Sequence, residues 1–138
     1  RRAAMKMYNR TATRADYLLA DLGDRLNADI VRVVSSVDDL DIRGTDILIN
    51  TTSVGLKPGD DILVDDTLLH PDLFVYDLIY NPKETLLLKM AKEAGAKTAN
   101  GLGMLFFQGV LSFQHWAGME IEDEVKNMMR KSLEGGLI

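Results

Sequence analysis

Two short apolar runs constrain the fold of this chain more than any other feature. Asp46–Asn50 is apolar at its three central positions, and Leu73–Ile79 is apolar along most of its length. Uninterrupted runs of this kind are typical of strands buried on both faces, as in a parallel sheet. Ile30–Val34 is short and rich in β-branched residues, and it also predicts a strand. Weaker strand signals lie at Met5–Tyr8 and Lys97–Ala99.

A helix is predicted directly after the strand at Met5–Tyr8. Thr11 or Thr13 can cap its beginning, and Gly23 can end it. Its apolar residues recur at positions i, i+3, i+4 and i+7, which lie on one helical face. They are Ala15, Leu18, Leu19 and Leu22.

A second helix is predicted between Asn81 and Gly95. Asn81 can cap its first turn, which tolerates Pro82, and Glu84 can close a capping box. Gly95 follows the last turn, where a glycine commonly ends a helix. The segment Lys57–Asp72, earlier in the chain, is predicted to be a loop.

Two more helices are predicted towards the C-terminus. Gly103–Ala117 is strongly apolar, whereas Ile121–Leu133 is amphipathic, with an acidic beginning and a basic end, as the helix dipole favours. Strands therefore alternate with helices or loops of crossover length. This order indicates an α/β fold with a doubly wound parallel sheet and C-terminal helices.

Composition excludes several classes of function. The chain has no cysteine, which removes disulfides, thiolate nucleophiles and cysteine-ligated zinc. Its net charge of −5 argues against a nucleic-acid partner and is typical of a soluble protein. No apolar run is long enough to span a membrane, and no signal peptide is evident, so we expect a cytoplasmic protein. Neither His70 nor His115 has a neighbour at metal-ligand spacing, so no metal site is predicted.

The segment Asn9–Arg14 is the first candidate binding motif. In a dinucleotide-binding sheet the loop after the second strand meets the adenosine ribose, and an acidic residue there selects NAD. This segment has no acid; it has Arg10, Arg14 and hydroxyl groups beside a helix N-terminus, which favours the 2′-phosphate of NADP. A capped helix with two solvated arginines explains the same residues.

Three further polar positions accompany the later strands and helices. Asn50–Gly55 follows a strand, where ligands bind in open α/β sheets, although small polar residues also favour a simple turn. Tyr80 can offer a phenol to a ligand or lie at the surface as an amphipathic aromatic. Gln108 begins a polar line on an apolar helix, which faces either solvent or a ligand.

The order and spacing of these motifs resemble one family. N-R-T-x-x-R at Asn9–Arg14, I-N-T-T-S-V-G-L at Ile49–Leu56 and Y-D-L-I-Y-N-P-x-x-T at Tyr76–Thr85 precede N-G-L-G-M-L-x-x-Q-x-x-x-x-F-x-x-W-x-G at Asn100–Gly118. Together they resemble the cofactor-binding half of shikimate dehydrogenase, whose fold is Rossmann-like. The first motif also occurs in other NADP-binding domains, such as that of glutamyl-tRNA reductase, whereas the last two are specific.

The resemblance implies an NADP-dependent oxidoreductase that reduces 3-dehydroshikimate to shikimate in aromatic amino-acid synthesis, the chorismate pathway. It implies a partial NADP-binding domain over residues 1–118 and a C-terminal amphipathic helix over residues 119–138. It leaves a homodimer possible. The cofactor-binding residues that it implies are Asn9, Arg10, Thr11, Arg14, Thr52, Ser53, Leu78, Gly101 and Met104. The substrate-binding residues that it implies are Tyr80 and Gln108.

Two parts of the family pattern do not occur in this chain. The family carries its catalytic lysine and aspartate in a separate N-terminal domain, and its first βα unit, with a G-A-G-G turn, should precede Met5. We therefore expect an incomplete sheet and no catalysis by this chain alone. The gap predicts a fragment of a longer protein, pairing with another copy, or a sheet closed in a rearranged order. Alternative functions are a non-catalytic nucleotide-binding or interaction module and a quinate-type dehydrogenase.

Overall fold

A computed structural model describes residues 4–25 and 30–136 of the chain. The chain forms two compact units, which meet in sequence between Gly44 and Thr45. The described strands form two separate parallel sheets, as predicted for an incomplete Rossmann-like fold. The pairings of the described strands do not include a single sheet closed in a rearranged order.

The first unit is a strand–helix–strand crossover. Strand β1 (Met5–Met7) leads to helix α1 (Ala12–Leu22), and strand β2 (Val31–Val33) then pairs with β1 in parallel. The helix ends as expected at Gly23, whose φ of 42° lies in the left-handed region and whose amide donates to the Leu19 carbonyl.

The predicted apolar face of α1 is only partly covered. Ala15 is fully buried, and Leu19 and Leu22 are half-buried, but Leu18 is 47% exposed. A two-stranded sheet is too narrow to cover a whole helical face, which accounts for the difference. Thr11 occupies the N-cap position, yet its side chain makes no capping hydrogen bond.

The second unit is a three-stranded parallel sheet in the order β3-β4-β5. Its elements are β3 (Ile47–Asn50), β4 (Phe74–Asp77), helix α2 (Leu86–Glu93), β5 (Lys97–Asn100), helix α3 (Leu102–Ala117) and helix α4 (Asp123–Gly135). A loop with a short 3-10 turn at Asp66–Leu68 connects β3 to β4, as predicted. Helix α2 packs against β4 and β5 and buries Leu87, Leu88 and Ala91.

The prediction that α2 begins at Asn81 is wrong. The helix begins at Leu86, because the hydroxyl oxygen of Thr85 accepts from the Leu88 amide at 3.3 Å and so caps it. Glu84 closes no capping box and instead binds the ammonium group of Lys92. Asn81 and Pro82 lie in the turn before the helix and are joined by a cis peptide bond.

The prediction that the strand at Asp46–Asn50 is buried on both faces is also wrong. Ile47 and Ile49 of β3 are 55% and 52% exposed, whereas Leu48 and Asn50 between and beside them are buried. Phe74, which pairs with Ile47 in the register, is 36% exposed on the same face. The buried side chains Leu48 and Val75 lie on the opposite face of the sheet, so burial is one-sided at these positions.

The last two helices pack on each other. Phe106 and Val110 of α3 form a core with Ile121, and the apolar side of α4 lies against it. The guanidinium group of Arg130 lies 4.3 Å from the centre of the Phe106 ring, at cation–π distance. The predicted amphipathic helix is therefore confirmed, and its first turn is acidic. Its last turn has no basic residue, because the helix continues to Gly135.

The predicted division after residue 118 stays a prediction. Among the helices that the structure describes, none is long and apolar enough to cross a bilayer.

Candidate functional site

A cleft opens at the carboxyl ends of β3 and β4. Its volume is about 500 Å³. In a parallel sheet these ends lie at one edge, which is where open α/β sheets bind ligands. The cleft is lined by Thr52, Leu56, Leu78, Ile79, Tyr80 and Asn81. The structure therefore brings together three of the predicted residues: Thr52, Leu78 and Tyr80.

The turn after β3 is organised by the side chain of Asn50. Its amide oxygen accepts from the Thr52 amide at 2.9 Å and from the Thr52 hydroxyl at 2.8 Å. The Thr52 hydroxyl oxygen in turn accepts from the Val54 amide at 3.1 Å. The hydroxyl proton of Thr52 is therefore committed within the turn, while Ser53 is exposed.

The turn after β4 is organised by Asp77. One carboxylate oxygen accepts from the Ile79 amide at 3.0 Å and from the side-chain amide of Asn50 at 3.1 Å. The other accepts from the Thr85 hydroxyl at 2.6 Å. Asp77, Asn50 and Thr85 are 0%, 1% and 2% exposed. We call these three residues the buried triad.

Asn50 was predicted to lie in a ligand-binding segment or a simple turn, and Asp77 and Thr85 lie in the motif Tyr76–Thr85, but no role was predicted for these three side chains. One signal could have found them. An aspartate inside an apolar strand must be hydrogen-bonded when it is buried, and a threonine eight positions on begins a helix.

Gly101 is placed by a close backbone approach. A Cβ atom at this position would lie 1.9 Å from the Leu78 carbonyl oxygen, so only glycine fits without a shift of the backbone. The Gly101 amide donates to the Ile79 carbonyl at 3.2 Å. This contact ties the end of β5 to the turn that carries Tyr80.

Met104 and Gln108 lie on α3 and do not line the cleft. Both side chains are exposed, and Met104 is 43% exposed. Tyr80 is 37% exposed at the mouth of the cleft. Of these three residues the structure therefore brings only Tyr80 to the cleft.

The other predicted residues lie in the first unit, at the N-terminus of α1. The side-chain oxygen of Asn9 accepts from the Thr11 amide at 2.9 Å, which fixes the turn between β1 and α1. Arg10 and Arg14 are exposed, and neither has an acidic partner among the ion pairs of the described residues. The arrangement presents two guanidinium groups beside a positive helix end, which suits a phosphate.

One carboxylate near the cleft has a perturbed pKa. The Asp60 side chain accepts from the Lys57 amide at 3.0 Å and from the Gly55 amide at 2.9 Å. These backbone donors stabilise the ionised form and lower the pKa of Asp60. Gly55 has a φ of 105°, which only glycine adopts easily. The turn therefore depends on Gly55 for its backbone conformation and on Asp60 for its hydrogen bonds.

The sequence of the chain is similar to those of known proteins. No protein-family model matches it. It is 45% identical over 120 residues to the NADP⁺-dependent shikimate dehydrogenase of Methanocaldococcus jannaschii, covering 85% of this chain and 43% of that protein. The chain is homologous to part of shikimate dehydrogenase. The predicted resemblance is thus confirmed.

Solved structures confirm the fold. A shikimate dehydrogenase in complex with NADP⁺ matches with a TM-score of 0.80 and 36% identity, covering 98% of this chain and 47% of that one. Quinate dehydrogenase of Corynebacterium glutamicum in complex with NAD matches with a TM-score of 0.83 and 26% identity, covering 96% of this chain and 46% of that one. The chain therefore spans less than half the length of these dehydrogenases.

Proposed function

We propose that this chain supplies the NADP-binding part of a shikimate dehydrogenase. The observation that carries the proposal is the pair of exposed arginines, Arg10 and Arg14, at the N-terminus of α1. The ribose 2′-phosphate of NADP needs donors of this type, since guanidinium groups bind phosphate through paired hydrogen bonds. The homology to NADP⁺-dependent enzymes supports the same cofactor.

Each part of the chain has a distinct task in this proposal. Asn9 holds the turn while Arg10, Thr11 and Arg14 bind the adenosine 2′-phosphate. Thr52, Ser53, Leu78, Gly101 and Met104 form the surface along the cofactor towards its nicotinamide end. NADP, when it is bound, supplies the hydride acceptor or donor. The described residues include no glycine-rich turn that would hold the pyrophosphate.

Tyr80 and Gln108 are proposed to orient the substrate. Their phenol and amide are exposed and able to bond the hydroxyl groups or carboxylate of shikimate and 3-dehydroshikimate. The second candidate substrate is quinate, which the similarity to a quinate dehydrogenase favours. A third candidate is a nucleotide-binding module without catalysis. A homodimer and a cytoplasmic location remain part of the proposal.

The test of activity compares this chain with a longer protein that contains it and the lysine- and aspartate-bearing domain of the family. Shikimate or quinate is added with NADP⁺, and the absorbance of the reduced cofactor is followed. We expect no turnover by the chain alone and turnover of shikimate by the longer protein. An inactive longer protein would favour the module, and turnover of quinate alone would favour the quinate-type enzyme.

The test of cofactor choice is the variant Arg10→Glu. The added carboxylate should weaken NADP⁺ much more than NAD⁺, because it repels the 2′-phosphate but can bond a free ribose hydroxyl. Equal losses for both cofactors would show that Arg10 does not face the 2′-phosphate.

A further inference from the structure

The buried triad has no spare polar group for a ligand. The Asn50 amide oxygen accepts two hydrogen bonds from Thr52, and its NH₂ group donates to the Val54 carbonyl and to Asp77. Asp77 accepts three hydrogen bonds. The three residues of the buried triad are at most 2% exposed to solvent. None of the buried side-chain polar atoms in the described residues lacks a partner. These side chains therefore act through the residues that they hold.

The buried triad holds the two turns that contribute residues to the lining of the cleft. Asn50 fixes Thr52 and Val54 in the turn after β3, and Asp77 fixes Ile79, the residue before Tyr80, in the turn after β4. Two hydrogen bonds join the ends of these neighbouring strands: the Asn50 side chain donates to Asp77 at 3.1 Å, and the Leu78 amide donates to the Asn50 carbonyl at 3.0 Å. Thr85 adds the beginning of α2 to the same set of bonds.

We propose that Asp77 is a positioning residue, which sets the distance between the ligand-facing turns that carry Thr52 and Tyr80. The carboxylate binds both turns at once through one oxygen, so a movement of either turn breaks a bond buried from water. Such a bond is costly to lose, since its donor finds no replacement partner. The ligand role of the cleft rests on the proposed function, but the positioning itself does not.

The test is native-state amide hydrogen exchange on this chain as it stands, read at Thr52, Val54 and Ile79. Asp77→Asn keeps the size of the side chain but removes its charge and replaces one acceptor oxygen by an NH₂ group, which weakens the bonds from Ile79 and Asn50. We expect exchange at these three amides to rise about tenfold relative to the Ala94 amide at the end of α2, which is the effect of one lost buried hydrogen bond. The Ala94 amide bonds the Met90 carbonyl at 3.0 Å, away from the buried triad, and reports general opening.

Val75→Ala is the matched control. Val75 is 0% exposed, precedes Asp77 by two positions on β4, and makes no side-chain hydrogen bond. It should speed exchange at all four amides alike, because it weakens only the packing. If Asp77→Asn gives this uniform pattern too, Asp77 only stabilises the fold and the proposal is wrong.

A pair of changes at Thr85 gives the same answer if Asp77→Asn fails to fold. Thr85→Val removes the hydroxyl group at nearly constant volume and should loosen Ile79, whereas Thr85→Ser keeps the hydroxyl and should restore protection. Equal exchange at Ile79 in the two variants would overturn the proposal.

A separate titration of the unaltered chain with NADP⁺ keeps the two proposals apart. Failure to bind would count against the proposed function alone. It would leave the exchange result at Thr52, Val54 and Ile79 to decide whether Asp77 positions the turns.

Discussion

The two units of the molecule carry their candidate binding residues in opposite ways. In the first unit, Arg10 and Arg14 lie in water without ion-pair partners in the described residues. In the second unit, the residues at the cleft depend on hydrogen bonds that the buried triad makes beneath them. Ligand binding and folding stability therefore depend on different residues in the first unit and on the same residues in the second. A change at Arg10 or Arg14 should affect ligand binding alone, and a change in the buried triad should affect both binding and stability.

The largest expected effect is on the buried triad. Asp77→Ala removes the acceptor of three buried donors, so the free energy of unfolding should fall by about 3–5 kcal/mol in urea titrations. Val75→Ala on the same strand should cost about 2 kcal/mol, which is the usual size of a small loss of packing. A smaller loss for Asp77→Ala than for Val75→Ala would mean that the hydrogen bonds do not support the second unit.

The next effect concerns Gly101. Gly101→Ala should lower the free energy of unfolding by about 1–3 kcal/mol, because the new methyl group collides with the Leu78 carbonyl. Gly103→Ala is the control, since nothing lies within 4 Å of its Cβ position in α3. That change should stabilise the chain by about 0.5–1 kcal/mol through helix propensity. Thermal unfolding of the two variants should therefore shift in opposite directions.

The third effect tests the first unit. Arg10→Ala and Arg14→Ala should each weaken NADP⁺ binding about tenfold or more, since each removes a charge-assisted hydrogen bond to phosphate. The free energy of unfolding should change by less than about 0.5 kcal/mol, because both side chains are exposed. Calorimetric titration and urea unfolding measure the two quantities. A large loss of stability would show that the arginines hold the unit together.

The smallest effect is the pH response of the Asp60 turn. The pKa of Asp60 is lowered in the folded chain. Its contribution to folding stability is therefore present above its ordinary pKa and is lost as the pH falls through the lowered value. An NMR titration should place the midpoint for the Gly55 and Lys57 amides below the ordinary value for aspartate. In Asp60→Asn this transition should vanish. A midpoint at the ordinary value would mean that the two backbone donors do not hold the carboxylate.

The sequence predicts the order of strands and helices well, because apolar periodicity depends on neighbours along the chain. It fails where the outcome depends on distant groups. The exposed face of β3 cannot be read from Ile47 and Ile49, since their burial depends on what packs against them. The true beginning of α2 depends on Thr85, whose hydroxyl group bonds both Leu88 and Asp77.

The candidate site divides in the same way. The resemblance to shikimate dehydrogenase implies Thr52, Leu78 and Tyr80 as binding residues, and the structure brings these three to one cleft. The sequence does not predict the role of Asp77, because a carboxylate in an apolar strand acquires its meaning only from the donors that surround it.

The most direct test of the central claim uses adenosine 2′,5′-bisphosphate, which carries the ribose 2′-phosphate but needs no pyrophosphate cradle. It is titrated into the chain beside adenosine 5′-monophosphate, and amide chemical shifts are followed by NMR. We expect saturable shifts at Asn9–Arg14 with the bisphosphate, and at least tenfold weaker binding of the monophosphate, because the monophosphate lacks one phosphate contact. Equal binding of the two nucleotides, or shifts that avoid Arg10 and Arg14, would contradict the central claim.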